Sequence, residues 1–103
     1  MKQILRRSEA SEDAEEADFY YLEHAGATVA DHFLEDYDRA LLHIAQLPST
    51  GSARYANLTD ARSLRFWTLA KLPYAVFYFE HAVDVEVIRV LHQSSDIPAH
   101  LQP

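Results

Sequence analysis

The sequence predicts an α+β fold of order β-α-α-β-β-β, a two-helix hairpin packed on a mainly antiparallel four-stranded sheet. Three observations predict it. Before Pro48, apolar residues recur at three- and four-residue spacing. From Ser63 onward the chain turns to short runs rich in β-branched and aromatic residues. Between the two regimes lies a loop-rich stretch, Leu47–Asp60 (LPSTGSARYANLTD).

Taken in order, Lys2–Arg7 reads as an opening strand. Ser8 is the expected N-cap of the first helix, with acids gathered in its first turns where the helix dipole favours them. That helix runs to about His24, carries Ala10, Ala14, Ala17, Tyr21 and Ala25 on one stripe, and stops at Gly26. Thr28 with Asp31 forms a capping-box-like start to the second helix, whose stripe is Val29, Phe33, Tyr37, Ala40, Leu41 and Ile44. Three strands follow: Ser63–Leu72, Tyr74–Ala82 and Val85–His92. The middle one is apolar on both faces until Glu80, as a central strand covered on both sides requires. The last alternates Val85, Val87, Arg89 and Leu91 against Glu86, Ile88, Val90 and His92. The tail SSDIPAHLQP reads as an irregular arm or an edge addition.

At 103 residues the chain is expected to form one domain over 1–103. Hydrophobic residues make up 49% and charged residues 24%, a globular profile. The absence of cysteine excludes a disulfide framework, zinc thiolates and a thiol nucleophile, and fits a reducing, cytoplasmic setting. No apolar run approaches the length of a membrane span, and MKQILRRSEASEDAEE lacks a signal-peptide core. The net charge of −7 belongs to residues 1–50, where Lys2, Arg6, Arg7 and Arg39 face eleven acids; the second half balances five against five. Direct nucleic-acid binding over a broad face is therefore not expected.

The words EDAEEADFYYLEHA, DHFLEDYDRALLHIAQLPSTG, LPYAVFYF and VEVIRVLHQSSDIP, in this order, resemble the RelE/ParE superfamily of toxins from type II toxin–antitoxin systems. The proline-aromatic start of the central strand and the V-x-R-V-L-H-Q strand end resemble its ParE-like branch. The resemblance implies a small cytoplasmic toxin, without cofactor, neutralised by a cognate antitoxin. ParE-like members with a known target inhibit DNA gyrase, whereas RelE-like members cut messenger RNA on the ribosome. On an ungapped alignment through Pro73–Tyr74, the lysines of the ribonuclease branch fall near Phe66 and Thr68, and its central-strand arginine near Ala75. An arginine common to both branches falls at Ser95, a departure that raises a degenerate, non-toxic copy as one reading.

Cleavage by 2′-hydroxyl attack needs a base, an acid and cations around the phosphorane-like transition state. Arg65, Arg89 and His92 remain as candidates. If the two arginines end up as neighbours, they form a cationic spot for a carboxylate or phosphate; otherwise Glu80, Glu86 or a tail carboxylate pairs each of them structurally. His92 is the one candidate for acid/base work, against a packing role. Tyr55, Tyr74 and Tyr78 divide in the same way between supporting a hydroxyl and filling the core. The six histidines show no HxH, HExxH or helical i, i+4 pair, so no metal site is expected. The acidic first helix is a solvated face or a dock for a basic partner.

The expected function is a ParE-like toxin that acts by binding its target, gyrase by family analogy, with Arg65, Arg89, His92 and Ser95 as candidate target or antitoxin contacts. The alternative is a messenger-RNA endoribonuclease using His92 with Arg65 and Arg89. An antitoxin helix is expected between the helical hairpin and the sheet, with an extended arm near the Arg65/Arg89 face. A homodimer and a toxin–antitoxin heterotetramer both remain open, and no membrane partner is expected.

Overall fold

The computed structural model describes residues 1–58 and 64–101. Its elements are β1 (Gln3–Arg6), α1 (Ser8–Ala25), α2 (Ala27–Gln46), β2 (Leu64–Thr68), β3 (Tyr74–Glu80), β4 (Asp84–His92) and α3 (Ile97–Leu101), with 3₁₀ turns at Pro48–Thr50 and Ala56–Leu58. The sheet order is β1-β4-β3-β2; β1 runs parallel to β4 and the other neighbours are antiparallel. This is the predicted class, two helices packed on a four-stranded mixed sheet.

Gly26 alone joins the two long helices, and its φ of 93° lies where only glycine is comfortable, so the chain reverses within one residue. Small side chains then let α1 approach closely: Ala10, Ala14 and Ala17 are buried. With Phe33, Tyr37, Ala40 and Ile44 of α2 they cover Val76, Tyr78, Val85, Val87 and Val90 of the sheet. The opposite sheet face buries Leu64, Ala75, Phe77, Phe79, Ile88 and Leu91 under Ile97, with Tyr55, Phe66 and Leu101 packed at its margin. The centre of β3, Ala75–Phe79, is therefore buried on both sides, as its composition predicts. Burying each large side chain there stabilises by roughly 1.5–3 kcal/mol.

Several local expectations change. Ser8 is the first helical residue and Arg7 the cap, without a side-chain cap bond. The Thr28–Asp31 box does not form, because Gly26 caps α2 two residues earlier than the box requires and no side chain bonds there. Ala25 is exposed.

The strand predicted over Ser63–Leu72 ends at Thr68, Ser63 itself lying outside the described residues together with Thr59 and Asp60 of the loop. Its end has a cause in Asp36, 1% exposed in the middle of the apolar stripe of α2. The carboxylate accepts the N–H groups of Ala70, Lys71 and Leu72 at 3.1, 2.9 and 3.2 Å, drawing the chain out of the ladder into a turn.

The strict alternation predicted for β4 also fails. Phe77 opposes Arg89 and Tyr78 opposes Val87, leaving Ile88 as an extra residue in a bulge. The phase flips there, so Val90 joins Val85 and Val87 under the helices while Leu91 joins Ile88 on the other face. The tail is neither irregular nor an edge strand: Ile97–Leu101 forms α3, with Asp96 Oδ1 accepting the Ala99 N–H at 3.4 Å. Gln102 and Pro103 lie outside the described residues.

The connector after α2 is fastened from two sides. His43 stacks on Trp67 with ring centroids 3.7 Å apart, and its Nε2 lies 2.9 Å from Thr50 Oγ1. The Tyr78 hydroxyl, buried, donates to the Pro48 carbonyl. It crosses so close to Gly51 that a Cβ there would lie 2.1 Å from the hydroxyl oxygen and 2.9 Å from Cζ. Gly51→Ala is therefore expected to cost about 3 kcal/mol in urea denaturation, and Tyr78→Phe to relieve only part of the clash, since Cζ remains. A cost below about 0.5 kcal/mol would show that the connector is free to move aside.

Candidate functional site

Arg65, on edge strand β2 opposite Tyr78, donates from Nη1 to the Gly51 carbonyl at 2.8 Å. Arg89, on β4 opposite Phe77, donates from Nε and Nη2 to the two carboxylate oxygens of Asp13 at 2.7 and 2.9 Å, and from Nη1 to the His100 carbonyl at 3.2 Å. Strand β3 stands between β2 and β4, so the two arginines do not form one cationic spot. Nor do the expected acids pair with Arg89. Glu80 binds Lys2 at 2.8 Å, while Glu86 binds Arg7 and lies 3.0 Å from His81 Nε2.

The Arg89 partner comes instead from α1, and its position explains why. The last bond from β1 to β4 is Arg7 N–H to the Val87 carbonyl at 2.9 Å. Past it β1 ends, and α1 continues alongside β4. Asp13 there accepts both the guanidinium and the Val90 N–H, the latter at 2.9 Å. The Asp13 hydrogen bond raises the Arg89 pKa further, against the cost of its burial, with the charges of Asp13, Glu9 and Glu16 adding to the effect. Sequence reasoning missed Asp13 because one carboxylate in the run Glu9–Asp18 looks like any other.

His92 faces Tyr74 across the ladder, their rings edge to face at 5.1 Å. Its Nδ1 accepts the Ser94 N–H at 3.0 Å and lies 2.7 Å from Ser94 Oγ. A backbone N–H can only donate, so the Nδ1 lone pair of the neutral ring is taken by Ser94 and the ring proton sits on Nε2. Tyr74 lies four positions before Tyr78 on β3, and Tyr78 is the one opposite Arg65, so His92 is not beside that arginine. Ser95 is half-buried and donates its N–H to the His92 carbonyl at 2.9 Å, closing the turn into α3.

The predicted tyrosines serve packing. Tyr74 joins Tyr21 and Phe33 in an aromatic cluster, and burial followed by neighbouring tyrosines raises the pKa of both Tyr21 and Tyr74. Tyr55 packs on Phe66 and Phe77. Among the described residues, no three His, Asp or Glu side chains are grouped to hold a metal ion, and no helix is long and apolar enough to cross a membrane.

What the described residues do present is a groove of about 680 Å³ between β1, α1 and α2, lined among others by Arg6, Glu15, Asp18, Leu34, Tyr37 and Asp38. No motif marked it, because its walls come from three elements joined only by folding. Farther along α1, Phe19 and Tyr20 lie exposed beside Glu12, Glu15 and Glu16.

Two variants test this electrostatic framework. Arg89→Ala leaves the Asp13 carboxylate with one N–H and is expected to cost about 1–3 kcal/mol by urea denaturation, with faster amide exchange in α3. The second concerns Glu86. Burial pushes its carboxyl up, but hydrogen bonds from His81 and Arg7, with their charges, outweigh it and hold the group below its usual range. Its contribution is thus complete above the ordinary carboxylate pKa and vanishes as pH falls through the lower folded value. Glu86→Gln should flatten the acid side of the stability curve, read from urea midpoints between about pH 3 and 7; an unchanged slope would show that Glu86 carries no linkage.

The model of the family described as ParE toxin of the type II toxin–antitoxin system, parDE, matches residues 4–97. Comparison with curated protein sequences finds no match. Among solved structures, the fold is similar to a chain of the chromosomal ParDE system from P. aeruginosa, with a TM-score of 0.72 and 16% identity, over 89% of this chain and 96% of that one.

Proposed function

The chain belongs to the ParE toxin family of type II toxin–antitoxin systems, and from that membership we propose that it arrests growth in the cytoplasm by binding a macromolecular target, DNA gyrase by family analogy, until a cognate antitoxin covers it. The observation that carries binding over chemistry is that Arg65, Arg89 and His92 are held apart by separate partners, Gly51, Asp13 and Ser94. A nuclease needs such groups to converge on one phosphate. The positions of the ribonuclease lysines, Phe66 and Thr68, and of its arginine, Ala75, bring no charge either.

The groove flanked by β1 and the helical hairpin is the surface that suits an antitoxin helix, and the exposed aromatic and acidic face of α1 suits a basic partner surface. Arg65 and Arg89, apart in the sheet, are less suited to holding an antitoxin arm than the sequence alone suggests, because both guanidinium groups already have acceptors.

Purified protein is expected to inhibit gyrase supercoiling and to leave ribosome-bound messenger RNA intact, and His92→Gln to arrest growth as fully as the parent. Cleavage of the message, abolished by His92→Gln, would overturn the reading.

A further inference from the structure

We infer that the exposed aromatic face of α1, Phe19 and Tyr20 with Glu12 and Glu16, is a docking surface for an arginine-bearing segment of a basic protein, selective for guanidinium groups over positive charge in general. The preceding reading enters only in making that protein the target of growth arrest.

The first observation is the setting of the Tyr20 ring. His24, one turn on, stacks against it with centroids 4.4 Å apart and planes 22° from parallel, and Tyr21 meets it edge to face at 5.7 Å. His24 Nδ1 lies 3.0 Å from the Tyr20 carbonyl, and a carbonyl only accepts, so Nδ1 carries a proton and the imidazole is fixed in orientation. Its neighbours thus hold the Tyr20 ring as a flat shelf, yet the residue stays 54% exposed. A ring positioned before the partner arrives lowers the ordering cost of binding.

The second observation is the apolar surface around it. Phe19 and Leu22 are 61% and 50% exposed, and Phe19 shares with Tyr20 a shallow groove of about 560 Å³. One exposed apolar side chain is ordinary; three large ones within four residues form a patch of the kind that interfaces cover. The third is charge. Glu12, Glu16, Tyr20 and His24 follow one another at four-residue spacing, which sets them in a row along the helix. Among the described residues, Glu12, Glu15 and Glu16 have no ion-pair partner. A guanidinium on the Tyr20 shelf stacks on the ring and pairs with Glu16 together, a combination the compact ammonium of lysine cannot match. A second copy of this chain would set the same acids against these, so like charges select against self-association here.

The test is an NMR titration of the full chain with the capped helical peptide Ala-Arg-Leu-Ala-Ala-Arg-Leu-Ala-Ala-Arg-Leu-Ala and its counterpart with Lys in place of Arg. The expected result is movement of the Phe19, Tyr20 and His24 signals, with the arginine peptide bound about fivefold more tightly than the lysine one. Tyr20→Leu, which keeps the bulk and suits a helix, should leave the melting temperature unchanged and bind both peptides equally; Glu16→Gln should weaken the arginine peptide about tenfold. A merely solvated acidic face would not distinguish the two peptides. Equal binding by the parent, silent Tyr20 signals, or dimerisation of the protein alone that Tyr20→Leu abolishes in sedimentation would overturn the inference, the last by giving the face to a second copy. In the supercoiling assay Tyr20→Leu should inhibit gyrase about tenfold more weakly than the parent. Inhibition unchanged in Tyr20→Leu removes this inference alone; arginine-selective binding by a parent that leaves gyrase active removes the gyrase reading alone.

Discussion

The Asp13 carboxylate is the point on which the architecture turns. One strand shorter than its neighbour leaves backbone groups of β4 exposed exactly where α1 must begin its run beside the sheet, and a single side chain meets that need. The same carboxylate orients Arg89, whose remaining N–H reaches the His100 carbonyl of α3. Helix, sheet edge and C-terminal helix thus share one partly buried ion pair, with side-chain exposures of 24% and 13%. Such a pair is worth more as a locator than as net stability, because desolvation offsets much of the attraction.

The order of elements, the helical hairpin and the doubly covered β3 were legible in residue periodicity, which reports burial directly. Asp36, Asp13 and Ile88 were not, for three different reasons. Asp36 breaks the apolar stripe of α2, a signal that is visible yet silent about what the carboxylate would bind. Asp13 has no signal at all within its acidic run. Ile88 looks like a good strand residue, and its unpaired state depends on the register of a neighbouring strand. Of the candidate site, the residue types were found and their separation was not, since which strands become neighbours is a property of the whole sheet.

The distribution of charge gains meaning from this arrangement. The acids of the first half are not all a solvated face. Asp13 and Asp36 are structural, while Glu12, Glu15, Glu16 and Asp18 stay on surfaces beside Phe19, Tyr20 and the β1 groove. The sheet face opposite the helices packs under Ile97, so the exposed aromatic and acidic residues of α1 lie on the other side of the sheet.

The bulge at Ile88 bears on how this fold can diverge. A residue gained or lost in β4 turns every later side chain of the strand over, so a relative without the extra position would present the same V-L-H word inside out. Inheritance of a surface contact beyond that point therefore depends on strand length as much as on residue identity. Two lineages could exchange interaction partners through a single codon insertion, with the composition of β4 almost unchanged.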